Sequence, residues 1–394
     1  MIRSCLALLV MLLLFGCKSQ LPIEKTTPPA CTTCPCPACP APELPKPPAK
    51  PLQPASWDDL PGWRDADLAR TFAAFRDSCT VLARQAVWAV PCSATREADP
   101  ANLRAWFEAQ FQPWQLVNPD GGREGLVTGY YEPILNGSRE RRKPYVVPIF
   151  GPPDDLITVE LSSLYPELKS MRLRGRLEGR KLIPYFSRNE WAGQEAQRKE
   201  SPLLWVDDAI DFFFMQIQGS GQIRFADGSR TRLAYADQNG HPYRSIGKWL
   251  IDQGELKAEQ ASMAGIKAWA RTHPERQQEM LNANPSLVFF RETKVEGSGP
   301  PGAMNLPLTP EVSIAVDPRF TTLGTPVWLA TTQPLSNEPL RRLMLAQDTG
   351  GAIRGPVRAD FFWGSGPDAG DKAGRMRQTG QMWALMPRNN ATLP

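Results

Sequence analysis

Histidine is almost absent: His241 and His273 are the only two in 394 residues. That leaves little for a histidine-rich metal centre. There is no G-x-S-x-G elbow and no G-x-x-x-x-G-K-[ST] loop, so the common serine hydrolases and P-loop nucleotide enzymes are not indicated. Charge of one sign is also lacking. A net charge of +4, with no basic stripe interleaved with aromatics, argues against a nucleic-acid partner. No internal repeat of fixed period is present. An enzyme with this composition works with carboxylates.

Long apolar runs are missing too. The longest, Leu6–Phe15, follows Arg3 and is too short to span a bilayer; it has the layout of a signal-peptide core. It ends in Leu14–Phe15–Gly16–Cys17, which resembles the lipobox of bacterial lipoproteins and makes Cys17 the expected acylated anchor. Lys18 after the cysteine favours the outer membrane, facing the periplasm. Residues 1–16 are then a signal peptide. Residues 21–56 hold twelve prolines; proline fixes φ and removes a donor, so residues 17–56 read as an extended tether reaching on the order of 110 Å.

The tether contains Cys31, Cys34, Cys36 and Cys39 in CTTCPCPACP. This spacing permits a thiolate metal site, but the segment has no apolar residues to fold around one. Local disulfides or cross-links fit an oxidising compartment better, and no metal is expected. Cys79 and Cys92 flank one apolar segment of the folded region and are a disulfide candidate; two buried thiols are the alternative.

From about Trp57 the chain has some 340 residues, more than one core usually supports. Leu68, Phe72, Phe75, Cys79 and Leu82 share one face of a helix between Asp65 and Arg84. Asp99–Pro100 opens a second helix, with Leu103, Phe107 and Phe111 inward. GLVTGYYEPIL (125–135) and DFFFMQIQGSGQIRF (211–225) read as β-rich, followed by a strand at Leu233–Ala236. Ser187-x-x-Glu190 and Thr272-x-x-Glu275 read as capping boxes. Residues 245–284 read as mostly helical, and from SLVFFRE (286–292) onward short strands and Gly/Pro turns suggest a barrel or sandwich.

In FMQIQGSG, strand alternation places Gln216, Gln218 and Ser220 on one face, a polar row suited to sugar hydroxyls. Thr128 and Tyr130 form a similar pair, and tyrosine can stack on a sugar ring. Asp317, Asp348 and Asp360 each follow an apolar β-like run. Asp360 stands before Phe361–Phe362–Trp363, where apolar neighbours would raise its pKa.

AVDPRFTTLGTPVWL and LAQDTGGAIRGPVRADFFWGSGPDAGDKAG resemble the 3D domain, named for its three aspartates. With TGYYEP, MQIQGSG, YRSIGKWLIDQG and NPSLVFFRE in the same order, residues 60–387 resemble the membrane-bound lytic murein transglycosylase A family. The resemblance implies a mainly β fold with α additions, in which a double-psi β-barrel is interrupted by a second β-rich domain, with a glycan groove between them. The barrel is expected over 57–133 (with N-terminal helices) and 285–394, and the insertion over 134–284. It implies a peptidoglycan lytic exotransglycosylase without cofactors, cleaving the β-1,4 bond between MurNAc and GlcNAc and leaving 1,6-anhydroMurNAc ends. Asp360 is the expected acid/base and Asp348 its tuning partner; Thr128, Tyr130, Gln216, Gln218, Ser220 and Asp317 are expected at the substrate. Asp317 and Asp348, converging on Asp360, would add like-charge repulsion. Peptidoglycan strands are the expected partner, with cell-wall enzyme complexes as conceivable further ones. A two-aspartate glycoside hydrolase and a non-catalytic peptidoglycan-binding lipoprotein are the alternatives.

Overall fold

The computed structural model describes residues 48–171, 173–194 and 199–388. Cys17, Cys31, Cys34, Cys36 and Cys39 lie outside the described residues, as does most of the expected tether. Among the described residues no helix is long and apolar enough to cross a membrane.

The strands in chain order begin with β1 (Leu52–Pro54), β2 (Phe111–Leu116) and β3 (Gly125–Glu132). Then come β4 (Ile134–Ser138), β5 (Val147–Ile149), β6 (Ile157–Thr158), β7 (Arg174–Glu178), β8 (Lys181–Pro184) and β9 (Leu204–Val206). After these follow β10 (Ser220–Arg224), β11 (Arg230–Gln238) and β12 (Val288–Thr293). The last five are β13 (Ser313–Ala315), β14 (Pro326–Thr332), β15 (Pro339–Asp348), β16 (Arg358–Ser365) and β17 (Arg377–Pro387). The α-helices are α1 (Ala69–Leu82), α2 (Ala86–Ala94), α3 (Leu103–Gln110), α4 (Arg188–Gly193) and α5 (Ala209–Gln218). They continue with α6 (Ile246–Asp252), α7 (Met263–Thr272), α8 (Gln277–Asn282) and α9 (Pro367–Arg375).

The first sheet runs β1-β2-β17-β14-β15-β13-β16-β3 and closes on itself because β17 also pairs with β3. Period-2 alternation sorts its side chains into two cores. Val327 and Leu329 of β14, Met344 and Ala346 of β15, and Met382 and Ala384 of β17 fill the barrel interior. Their neighbours Trp328, Leu343, Leu345, Trp383 and Leu385 face outward and are covered by α1–α3 through Phe72, Phe75, Trp88 and Phe107. Cys79 and Cys92 form a disulfide that staples α1 to α2. The barrel sheet begins earlier than the expected boundary at 57, since β1 pairs with β2 over Leu52–Pro54.

The second sheet, β12-β11-β10-β4-β9-β5, is inserted after β3; β6–β8 form a small third sheet. β12 was expected with the barrel from residue 285, but it pairs antiparallel with β11 and completes the inserted sheet. Its Phe290 is needed there, in the core with Leu135, Ile223 and Leu233. The chain crosses between sheets at Glu132. Its carboxylate accepts from Arg232 Nε at 2.6 Å, Gln222 Nε2 at 2.8 Å and Ser365 Oγ at 2.6 Å, so both sheets hold one fully buried side chain.

DFFFMQIQ is a helix rather than a strand. Asp208 caps it by accepting from the amides of Ile210 and Asp211, and Gly219 ends it at φ 80°. The helix lies between two cores: Phe212 and Met215 pack on the inserted sheet, Ile210, Phe213 and Phe214 on α6–α8. A helix buried on opposite sides loses its polar stripe and reads like a continuous apolar strand. Thr272 likewise caps no helix start. It ends α7, its hydroxyl donating back to Trp269 O at 2.9 Å.

Candidate active site

β16 runs parallel to β3 with Asp360 opposite Thr128 and Phe362 opposite Tyr130. Side chains that oppose one another across paired strands share a face. The opposing hydroxyl and carboxyl therefore meet: Thr128 Oγ1 donates to Asp360 Oδ1 at 2.5 Å. Ala359, Phe361 and Trp363, on the other face, join the barrel core. Phe362, on the face of Asp360, packs with Tyr130, Leu308, Ala315 and Ile353. Of the three aromatics after Asp360, only Phe362 thus lies on its face. Gly129, between Thr128 and Tyr130, lets α9 pack close; a Cβ there would stand 2.7 Å from Trp363 Nε1 and 2.9 Å from Ala373 Cα.

β13 lies between β15 and β16, so Ala315 is paired with Asp348 on one side and with Asp360 on the other. Both oxygens of Asp348 are engaged. Tyr130 Oη donates to Oδ2 at 3.0 Å and the Ala303 amide to Oδ1 at 3.0 Å. Tyr130 is buried, so it holds Asp348 and offers no face for sugar stacking. Burial, then the carboxylates of Asp348 and Asp360, push its phenol well above the ordinary value, and it stays a donor.

Both aspartates keep a partly open surface, yet dense surroundings raise both pKa values. Burial carries Asp348 to about 6, against hydrogen bonds from the Thr349 amide, Tyr130 and the Ala303 amide, and the charge of Asp360 adds to the rise. Burial also raises Asp360, while the Thr128 hydroxyl and the Arg358 charge pull it back. Arg358 was not expected at the site. Its Nη2 donates to Thr128 Oγ1 at 2.8 Å and its Nη1 to the carbonyls of Leu126 and Ala359. The signal was there: Arg358 stands two residues before Asp360 in a strand, hence on the same face.

Asp317 does not join the pair. It is buried and ion-paired with Arg319 at 2.6 Å, and it also accepts from the Gly355 amide at 2.9 Å. Burial alone would raise its pKa; the Arg319 side chain and the amides of Gly355 and Arg319 outweigh that and hold it at about 2. It pins a turn to the 355 loop, and what raises Asp360 is burial.

The expected polar row is dispersed because α5 is a helix. Gln216 is buried, accepting from Arg188 Nη2 at 2.6 Å. Ser220 begins β10 opposite Ala234. Gln218 reaches across the sheets, its Oε1 accepting from the Tyr131 amide at 3.0 Å, where the β16–β3 register shifts. Among the described residues no group of three or more His, Cys, Asp or Glu could hold a metal ion.

Comparison with known proteins agrees with this architecture. Residues 126–291 match the MltA specific insert domain and residues 312–386 the 3D domain. Membrane-bound lytic murein transglycosylase A of Escherichia coli K12 is 37% identical over 295 residues, 73% of this chain and 72% of the relative. The crystal structure of MltA from Neisseria gonorrhoeae superposes with a TM-score of 0.76 at 38% identity, covering 87% of this chain and 94% of that one. E. coli MltA with bound chitohexaose gives a TM-score of 0.67 at 29% identity, over 86% and 95% of the two chains. A closed barrel interrupted by a second sheet, matching these solved structures, places the chain among the lytic transglycosylases of this fold. The chain belongs to the membrane-bound lytic murein transglycosylase A family.

Proposed function

We propose that the chain is a peptidoglycan lytic transglycosylase in which Asp360 is the single acid and base. The observation that carries this reading is the contrast between the two aspartates. Asp348 has both oxygens committed to Tyr130 and Ala303, whereas among the described residues Asp360 has only Oδ1 bonded, to Thr128. One carboxyl is left to act, and the two-carboxylate scheme of glycoside hydrolysis is not favoured. The relatives' names and the hexasaccharide bound to the E. coli protein support a glycan as substrate.

Asp360 gives its proton to the β-1,4 glycosidic oxygen as the bond from MurNAc C1 breaks, and GlcNAc leaves with a free hydroxyl. The MurNAc C6 hydroxyl closes on C1 and returns its proton to Asp360, so no water is consumed. An intramolecular nucleophile is already positioned and needs no second carboxylate to deliver it. Asp348, with Tyr130 holding it, keeps negative charge near Asp360 and so favours the protonated acid. Gln218, whose Nε2 makes no hydrogen bond among the described residues, is the best of the expected sugar ligands. The barrel comprises residues 48–132 and about 297–388, with the insert between them. Acylation at Cys17 would hold the enzyme at the outer membrane, facing the periplasm; the lipobox-like tetrapeptide and the relatives' membrane-bound character support this.

The test is the product. Mass spectrometry of digested peptidoglycan is expected to show muropeptides ending in 1,6-anhydroMurNAc, one water lighter than hydrolysis products. Reducing-end MurNAc as the first product would assign a hydrolase instead.

A further inference from the structure

We infer that Arg358 is a positioning residue for the acid: by occupying the acceptor side of the Thr128 hydroxyl, it fixes which oxygen of Asp360 carries the proton. This deepens the reading of Asp360 as the acid and rests on it.

A threonine hydroxyl has one proton and two lone pairs, and a guanidinium only donates. Arg358 Nη2 lies 2.8 Å from Thr128 Oγ1, so that contact uses a lone pair and cannot use the proton. The hydroxyl proton is therefore free for Asp360 Oδ1, 2.5 Å away. Oδ1 is thereby an acceptor in both protonation states, and the transferable proton resides on Oδ2. Without Arg358 the hydroxyl could rotate and accept from Asp360 instead, leaving the proton on Oδ1, the oxygen turned to Thr128 on β3. Arg358 is itself held in place: Nη1 donates to the Leu126 and Ala359 carbonyls, one on each strand of the pair. Among the described residues it has no carboxylate within ion-pair distance, so its charge is directed to the site.

The same arrangement stabilises Asp360 after it has given up its proton. The charge-assisted Arg358–Thr128 bond polarises the hydroxyl toward the new carboxylate. The other groups around Asp360 act differently. Asp348 across β13 opposes its ionisation, Tyr130 on β3 remains neutral, and Arg377, opposite Thr128 on β17, is exposed and forms no ion pair among the described residues. Arg358 and Thr128 are the pair that favours the conjugate base.

The experiment measures kcat, KM and the pH profile on soluble glycan fragments for Arg358→Met, Thr128→Val and the double variant, with Arg358→Lys and Thr128→Ser as conservative partners. Each of the first two is expected to lower kcat roughly 10- to 100-fold, the range of one charge-assisted hydrogen bond, with KM within about twofold. The double variant should be no slower than the slower single one, because both break the same relay. The basic limb should move to higher pH in Arg358→Met, since a stabiliser of the carboxylate is lost; Thr128→Ser should recover most of the rate. An unchanged kcat and pH profile in Arg358→Met, or additive losses in the double variant, would overturn the inference. Should Arg358→Met not fold, Thr128→Val against Thr128→Ser still decides, because threonine and valine have nearly the same shape. Anhydro products from the wild type with no relay effect would leave the transglycosylase assignment standing and remove only this role.

Discussion

Asp348 and Asp360 are both register partners of Ala315, one from each neighbouring strand. Two desolvated carboxyls on either side of one small residue each disfavour the other's charge, so removing one should shift the other. Burial takes Asp348 to about 6 and raises Asp360 as well. Asp360, the acid, therefore keeps its proton to a higher pH than a free aspartate, and kcat/KM on soluble fragments should fall as pH rises through that raised value. Asp348→Asn removes the like charge, lowers the pKa of Asp360 and should move that limb to lower pH, with reduced activity at neutral pH. A limb that stays in place in Asp348→Asn would mean that Asp348 does not tune the acid.

Asp317 should matter for stability and not for chemistry. Its pKa is depressed to about 2 from an ordinary 3.8. A depressed carboxylate adds stability that is present above the unfolded value and is lost as pH falls through the folded one, here between about 4 and 2. The shift corresponds to an effect on the order of 2 kcal/mol. Asp317→Asn should lower Tm at neutral pH and flatten its fall below pH 4, with kcat at a permissive temperature within a few-fold of wild type. A collapse of kcat with Tm unchanged would return Asp317 to the site.

The inserted sheet shows what could be read from the sequence and what could not. The helix carrying Phe72 and Phe75 was legible because one face is apolar and the other polar; β3 and β16 were legible because β-rich residues stand between glycine turns. DFFFMQIQ was not, since cores on opposite sides of α5 erase its periodicity, although Asp208 and Gly219 already marked its ends. The raised carboxyl of Asp360 was legible from its apolar neighbours. The separation of Asp317 from the pair depends on Arg319 and the Gly355 amide, contacts set by how the loops fold. Thr128 was picked out as a sugar ligand; its bond to Asp360 comes from the parallel register of β16 with β3, which no local pattern specifies.

The folded unit begins before the boundary first expected. Val117 N donates to Pro51 O and Ala49 N to Pro119 O, both at 2.9 Å, and β1 adds a strand to the barrel sheet. A chain beginning at Pro48 should therefore fold and cleave soluble glycan fragments at close to the full-length rate. One beginning at Ser56 loses β1 and should melt several degrees lower. Cys17→Ser should leave cleavage of fragments unchanged while abolishing membrane fractionation and reducing lysis in cells through lost effective concentration. Membrane retention of Cys17→Ser would place the anchor elsewhere.

The role of Asp360 is tested most directly by Asp360→Asn, assayed for release of 1,6-anhydroMurNAc ends and, in parallel, for binding of chitohexaose. The carboxamide keeps the size of the side chain and an acceptor for Thr128 but cannot shuttle a proton. Turnover should fall by about 10²–10⁴-fold or more, with oligosaccharide binding and Tm close to wild type. Anhydro products released by Asp360→Asn at near wild-type rate would show that Asp360 is not the acid.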